Sequence, residues 1–317
     1  MKHPEKSKFS LQQLLMSLSA VAYMPFESIS MLQDNLNTVD ALEEAYVAIW
    51  WAKTSSAAVY VVKNKHTNVY VVVFRGAIFR PALPFLVQLY EDLNLSHQES
   101  LPYSRLGGAK VASGILDTLQ DIGDSTFDGR TLQQVLNFLP PIAKVYMTGH
   151  SLGGSLAATY AAKTFCSSST ELDIIPYTFG APAIGNNSFA DLFHRGNVNF
   201  LFSQSFRCIN TRDIMPFTWN NLSGIPTVDY GHVKCPVDFS LCIEYLERLL
   251  ILSRVFYSQP PPDLQLRSDH GGPNSFYHKA LYQHEPNTYL RSLGLDPIGT
   301  AEFYQSYTGE FMLSDTE

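Results

Sequence analysis

Apolar residues recur at Leu11, Leu14, Leu15, Leu18 and Val21 or Ala22, with Gln12, Gln13 and Ser17 off that face. This 3.6-residue period predicts an amphipathic opening helix. Lys2, Lys6 and Lys8 ahead of L-L-M-S-L-S-A-V-A would also suit a weak signal peptide ending near Ala20-Val21-Ala22. Residues 38–53 begin on an N-cap type, Thr38, and carry Val39, Leu42, Tyr46, Ile49 and Trp50 at helical spacing, which predicts a second helix. A-V-Y-V-V-K, the polar N-K-H-T-N and V-Y-V-V-V-F predict an antiparallel hairpin, its second strand apolar enough for a sheet interior and ending at Arg75-Gly76.

Further helices are predicted over 109–122 and over 129–139, the latter stopped by Pro140-Pro141, and strands over 144–148, 174–179 and 206–210. Residues 236–262 read mostly as a long apolar helix ending in P-P-P, with the character of an insertion. Strands alternating with helices imply the α/β class, a central and mostly parallel sheet flanked by helices. One large domain over 1–317 is the favoured count, and no internal repeat is visible.

Composition narrows the function. Hydrophobic residues make up 45% and aromatics 13% of 317 positions, ample for a packed core. The formal net charge is −7 and no basic run is present, which argues against nucleic acid as a partner. No apolar run reaches the ~18 residues that span a bilayer. Cys166, Cys208, Cys235 and Cys242 form no C-x-x-C pair, so neither a zinc site nor a thioredoxin-like motif is expected; Cys235 and Cys242 suit either a small disulfide loop or two reduced thiols.

The chemistry concentrates at G-H-S-L-G, residues 149–153, which follows a strand and opens a helix. In that context G-x-S-x-G suits a sharp turn that presents Ser151 as a nucleophile, with the helix N-terminus facing any anion formed beside it. A serine hydroxyl needs a base that a carboxylate orients, in the chain order Ser, Asp or Glu, His. Asp213 follows the strand 206–210 and precedes Pro216, at the sheet edge that carries Ser151; Asp173, Asp191, Asp229 and Asp238 have no such position. His232, His270, His278 and His284 are the candidate bases, while His194 precedes Asp213 and breaks the order. Position alone leaves His284, on an expected loop before a short helix, alongside its runner-up His278.

These segments together resemble the class 3, or fungal-type, lipase family of the α/β-hydrolase superfamily. The resemblance is carried by G-H-S-L-G-G, F-R-G at 74–76 and F-G-A-P-A-I-G-N at 179–186, and runs from about residue 17 to 293. S-L-S-A-V-A-Y at 17–23 is similar to the helix that opens the family domain, which favours a helix over a signal peptide. N-T-R-D-I-M-P is similar to the family pattern holding the acid, Asp213, and H-x-x-x-x-Y-L to that holding the base, His284, with Tyr289 after it; His232 resembles a non-catalytic family histidine on a strand.

The resemblance implies an oxyanion hole at Ala77 and Leu152. Ala77 departs from the usual Ser or Thr and offers only its backbone N–H. It also implies a lid near 78–92, with Ile78, Phe79, Phe85 and Leu86, together with His150, as substrate or lid contacts; a buried core helix is the competing reading of that segment. The expected protein is thus a carboxylic ester hydrolase acting on acylglycerols or related lipid esters at a lipid–water interface. It would need no metal or cofactor. The same residues also suit a short-chain esterase, a phospholipase A1-type enzyme or a catalytically weak lipid- or protein-binding module. The expected location is cytoplasmic, with secretion as the alternative.

Overall fold

The computed structural model describes residues 9–43, 45–55, 57–77, 84–168, 171–195, 197, 200–228, 237–269 and 275–299. Helices α1 (Leu11–Val21) and α2 (Ile29–Asn37) lead into strands β1 (Tyr46–Lys53), β2 (Ala58–Asn64) and β3 (Val69–Phe74). Helix α3 (Pro84–Asp92), a ribbon of β4 (Gln98–Ser100) and β5 (Lys110–Ala112), and helices α4 (Ser113–Asp124) and α5 (Leu132–Asn137) follow. Then come β6 (Lys144–His150), α6 (Leu152–Ser167), β7 (Asp173–Phe179), α7 (Asn187–Asp191) and β8 (Phe206–Asn210). The last elements are α8 (Val237–Ser253), β9 (Leu264–Leu266), α9 (Phe276–His284) and α10 (Pro286–Ser292).

Seven strands form one sheet in the order β1-β2-β3-β6-β7-β8-β9, antiparallel across β1-β2-β3 and parallel from β3 onwards. Two-residue alternation divides the central strands between the faces. Val59, Val61, Tyr70, Val72 and Phe74 join the apolar cluster beneath α3 to α6 and α8, while Tyr60, Val62, Val71 and Val73 join the one beneath α1, α2 and α10. With both faces covered, this is the α/β-hydrolase arrangement.

The opening helix forms as its spacing predicts. Ser10 and Gln13 make reciprocal side-chain to backbone bonds that satisfy two orphan N–H groups, and Leu15, Met16, Leu18 and Val21 are fully buried. The helix expected over 38–53 does not form: α2 ends before it and residues 46–53 are the edge strand β1. The irregularity between Ala48 and Trp50 explains the misreading. It switches the strand's inward face, so Tyr46 packs in one cluster and Trp50 and Ala52 in the other, and the resulting spacing imitates a helical stripe. Likewise 109–122 is a strand and then a helix, because Val111 bridges to Gly185 and β5 pairs with β4 before α4 begins.

The segment expected as a lid divides. Residues 78–83, with Ile78 and Phe79, and the side chain of Phe85 lie outside the described residues. Helix α3 is core: Leu86, Leu89 and Tyr90 are buried with Leu93 and Leu95. Apolar patterning alone does not separate these roles; the tertiary contacts do.

The insertion helix is shorter than expected, since Arg254 takes φ 56° and 254–262 runs on without helix. Helix α8 buries Phe239, Ile243, Leu246 and Leu250 and leaves Val237, Leu241, Tyr245, Ile251 and Leu252 exposed. Cys235 lies outside the described residues, and Cys242 is a free thiol.

The tightest contact in the fold lies between β3 and the turn after β6. A Cβ on Gly153 would collide with the Phe74 carbonyl oxygen and come within 2.8 Å of Gly76 N; one on Gly149 would collide with Gly153 and stand 2.6 Å from the same carbonyl. Gly153→Ala is therefore expected to destabilise the protein by about 3 kcal/mol. Gly123→Ala, at a helical site with nothing within 4 Å of the added methyl, should stabilise it by about 0.5–1 kcal/mol. Urea denaturation of the two variants beside the wild type checks both signs.

Candidate active site

Ser151 sits between the end of β6 and the first turn of α6 with φ 60° and ψ −135°, a sparsely populated conformation for a residue with a side chain. The turn is held because Ser151 N–H donates to the Phe179 carbonyl at 2.9 Å, fixing it to the end of β7. Leu152 is the first residue of α6, so its N–H has no acceptor within the helix and remains available beside the serine. Gly76 approaches from β3, where an added Cβ would be 3.0 Å from that of Ser151. Ala77 follows directly after this contact.

Two later segments meet the serine. His284 Nε2 lies 2.8 Å from Ser151 Oγ, and His284 Nδ1–H donates to Asp213 Oδ2 at 2.7 Å. All three side chains are at most 3% exposed, so the hydrogen-bonded chain is shielded from water. His284 is the last residue of α9 rather than part of a loop; Pro286, the first residue of α10, breaks the helix just beyond it.

Asp213 is held at both oxygens. Met215 N–H donates to Oδ1 at 2.8 Å, and the Tyr289 hydroxyl donates to Oδ2 at 2.7 Å while accepting from Asn210 N–H at 3.1 Å. Gly180, at φ 59°, leaves the space: a Cβ there would stand 2.7 Å from the Tyr289 hydroxyl and 3.1 Å from Asp213 Oδ2. Burial, with the Asp213 charge second, raises the Tyr289 pKa well above its ordinary value and keeps the hydroxyl a donor. Asn210 then fastens this edge to α9. Its amide donates to the Gln283 carbonyl at 3.0 Å and Oε1 at 2.9 Å, and its Oδ1 accepts from Ser268 at 3.1 Å.

Other candidates fall elsewhere. Asp173 bonds Ser203 and Asp238 bonds Tyr277, both away from the serine, and His194 is exposed after α7. His232, His270 and Asp229 lie outside the described residues, as does the side chain of His278. His150, expected among the substrate contacts, instead lies fully buried beneath His284, with ring centroids 4.6 Å apart. His150, the last residue of β6, still follows the strand's alternation and turns into the fold, whereas Ser151 leaves the strand at positive φ. Leu86 is core-packed, as described above. Among the described residues no group of three or more His, Cys, Asp or Glu could hold a metal ion, and no helix is long and apolar enough to cross a membrane.

Sequence reasoning does not single out Tyr23, Asn210 or Glu285. Tyr23 and Asn210 fall within the segments 17–23 and 210–216 quoted above, but nothing there marks their roles, and each of the three acquires its partners only through the fold.

Comparison with known proteins matches residues 71–222 to the model of the class 3 lipases, a stretch that holds Ala77, Ser151, Leu152 and Asp213. This segment, just under half of the chain, is similar to the class 3 lipases. A lipase of Rhizopus niveus is 30% identical over 162 residues, which is 50% of this chain and 36% of the relative. A triacylglycerol lipase of Ricinus communis is 39% identical over 77 residues, 23% of this chain and 14% of the relative. The chain thus spans between 14% and 36% of the length of these curated relatives. Beyond the family segment the fold continues in kind: the crystal structure of M37 lipase superposes with a TM-score of 0.77 over 96% of this chain and 99% of that one, at 20% identity.

The family and the fold support a lipase-like hydrolase. The same comparisons correct the expectation of a cytoplasmic location. The relatives are fungal and plant lipases, which favours an extracellular over a cytoplasmic location.

Glu285, next to His284, carries a testable electrostatic load. Burial raises its carboxyl from 4.5 to about 6, against the smaller opposing pull of Arg291 and His284. The folded protein thus holds this proton more tightly than the unfolded chain, and stability falls as pH rises from 4.5 through about 6. Glu285→Gln removes that loss. Its urea midpoint should exceed the wild type's at pH 8 and converge with it near pH 4.

Proposed function

We propose that the protein is a serine hydrolase of lipase type that cleaves carboxylic esters of lipids, acylglycerols foremost. The observation that carries this reading is the buried Ser151–His284–Asp213 hydrogen-bonded chain at a strained strand-to-helix turn. Ser151 Oγ attacks the ester carbonyl carbon while its proton passes to His284 Nε2. Asp213 accepts from Nδ1–H, which fixes the ring and stabilises the imidazolium. The N–H groups of Ala77 and Leu152 receive the oxyanion. The tetrahedral intermediate collapses as His284 gives the proton to the leaving alcohol, and water, deprotonated by the same histidine, releases the acid and restores Ser151.

The relatives include triacylglycerol lipases, which favours long acyl chains. A second reading, a short-chain esterase or phospholipase A1-type enzyme, is favoured by one observation. Helix α3 buries Leu86, Leu89 and Tyr90 in the core, so these residues present little apolar surface to an interface.

Hydrolysis of p-nitrophenyl esters of two to sixteen carbons, and of a phosphatidylcholine, separates these readings. Activity absent from Ser151→Ala, rising with chain length and jumping above the solubility limit, is the expected result. Activity confined to soluble short esters or to the phospholipid would replace acylglycerol by that class, and none at all would sink the enzyme reading. Ala77 gives a further expectation. Ala77→Ser adds a hydroxyl donor to the oxyanion hole and should raise kcat about tenfold or more at nearly constant KM, since one such donor is worth roughly 2–4 kcal/mol.

A further inference from the structure

The mechanism above does not use His150, a buried titratable side chain in contact with the base. His150 is fully buried directly behind the base, and three rings enclose it. His284 faces it at 4.6 Å with a tilt of 34°, Tyr289 meets it edge-on at 5.2 Å and 71°, and Tyr23 meets it edge-on at 5.8 Å and 66°. Tyr23, at the end of the opening helix region, also holds it by hydrogen bonds: its hydroxyl lies 3.0 Å from Nδ1 and 3.3 Å from the His150 carbonyl oxygen.

The Tyr23 hydroxyl holds one edge of the ring at Nδ1, and the ring is buried throughout. Burial, followed by the charge of His284, lowers the His150 pKa well below its ordinary value, and the His284 backbone offsets only part of this. A neutral ring thus lies against the imidazole that gains and loses the proton.

The aromatic face of such a ring attracts a cation stacked on it, whereas a second cation there would repel it. Resting on the hydrolase reading, we propose that His150 is a positioning residue for His284: locked by Tyr23, it presents a fixed ring face on which the His284 imidazole rests while it carries the proton between Ser151 and the leaving alcohol. Asp213 and Ser151 are bonded to the two nitrogens of His284, Tyr289 is bonded to Asp213, and Glu285 follows His284 in the chain. His150 lies against the ring face.

The test is the pH profile of kcat/KM with p-nitrophenyl butyrate for wild type, Tyr23→Phe, His150→Leu and His150→Phe, each normalised to sites titrated by a fluorophosphonate. Normalisation removes any fraction that fails to fold. His150→Leu is expected to lose about tenfold in kcat with KM within twofold, and to move its acidic limb to lower pH, because the imidazolium loses the facing ring. His150→Phe restores a ring face and should return to within about threefold of wild type, with Tyr23→Phe between the two.

If His150→Leu matches wild type per titrated site, or if Leu and Phe fall equally with unmoved limbs, His150 is a packing residue and the inference is wrong. A wild type that neither labels nor hydrolyses overturns the hydrolase reading itself, and the positioning role with it.

Discussion

The close approach of β3 to the turn after β6 is the constraint on which the site depends. Gly149 and Gly153 let the backbone of α6 descend onto the Phe74 carbonyl, and a side chain at either position would hold the helix off the sheet. The descent forces Ser151 into a conformation that costs about 1–3 kcal/mol, which neighbouring contacts must offset. The bond from Ser151 N–H to the Phe179 carbonyl and the small residues Gly154, Ala157 and Ala161, which seat α6 on the sheet, provide that support. The same strain lifts Oγ clear of the strand and aims the first N–H of α6 at its side.

The partners of Ser151 arrive from segments remote in sequence, and buried polar bonds bring them there. Asp213 is held by Met215, Tyr289 and His284, and Asn210 ties the end of β8 to Gln283, the residue before His284. In a low-dielectric interior such a network is rigid when its members are satisfied and costly when they are not. Misplacement of α9 would therefore break several bonds together, which couples the geometry of the base to the integrity of the sheet edge.

Charge placement around His284 follows the same logic. Asp213 lies in line with the ring, Glu285 follows it in the chain, and His150, stacked on it, is buried with its pKa lowered by that burial. Closure of the site to water strengthens each of these interactions and explains why a core-like environment surrounds residues with polar chemistry.

Local pattern alone determined several elements: the α1 stripe with its Ser10 cap, the β2–β3 hairpin, and the strand–turn–helix around G-H-S-L-G, each specified by residues adjacent in sequence. Asp213 was legible from its position after a strand and before a proline, and His284 only through its likeness to a family pattern, since a histidine at a helix end carries no local mark. Only the tertiary structure decided that 46–53 is an edge strand whose irregularity mimics a helical stripe, that α3 packs Leu86 and Leu89 into the core, and that His150 faces inward. The physical reason is common to the three. Apolar spacing records that a side chain is buried, but which surface buries it depends on pairing and packing between segments far apart along the chain.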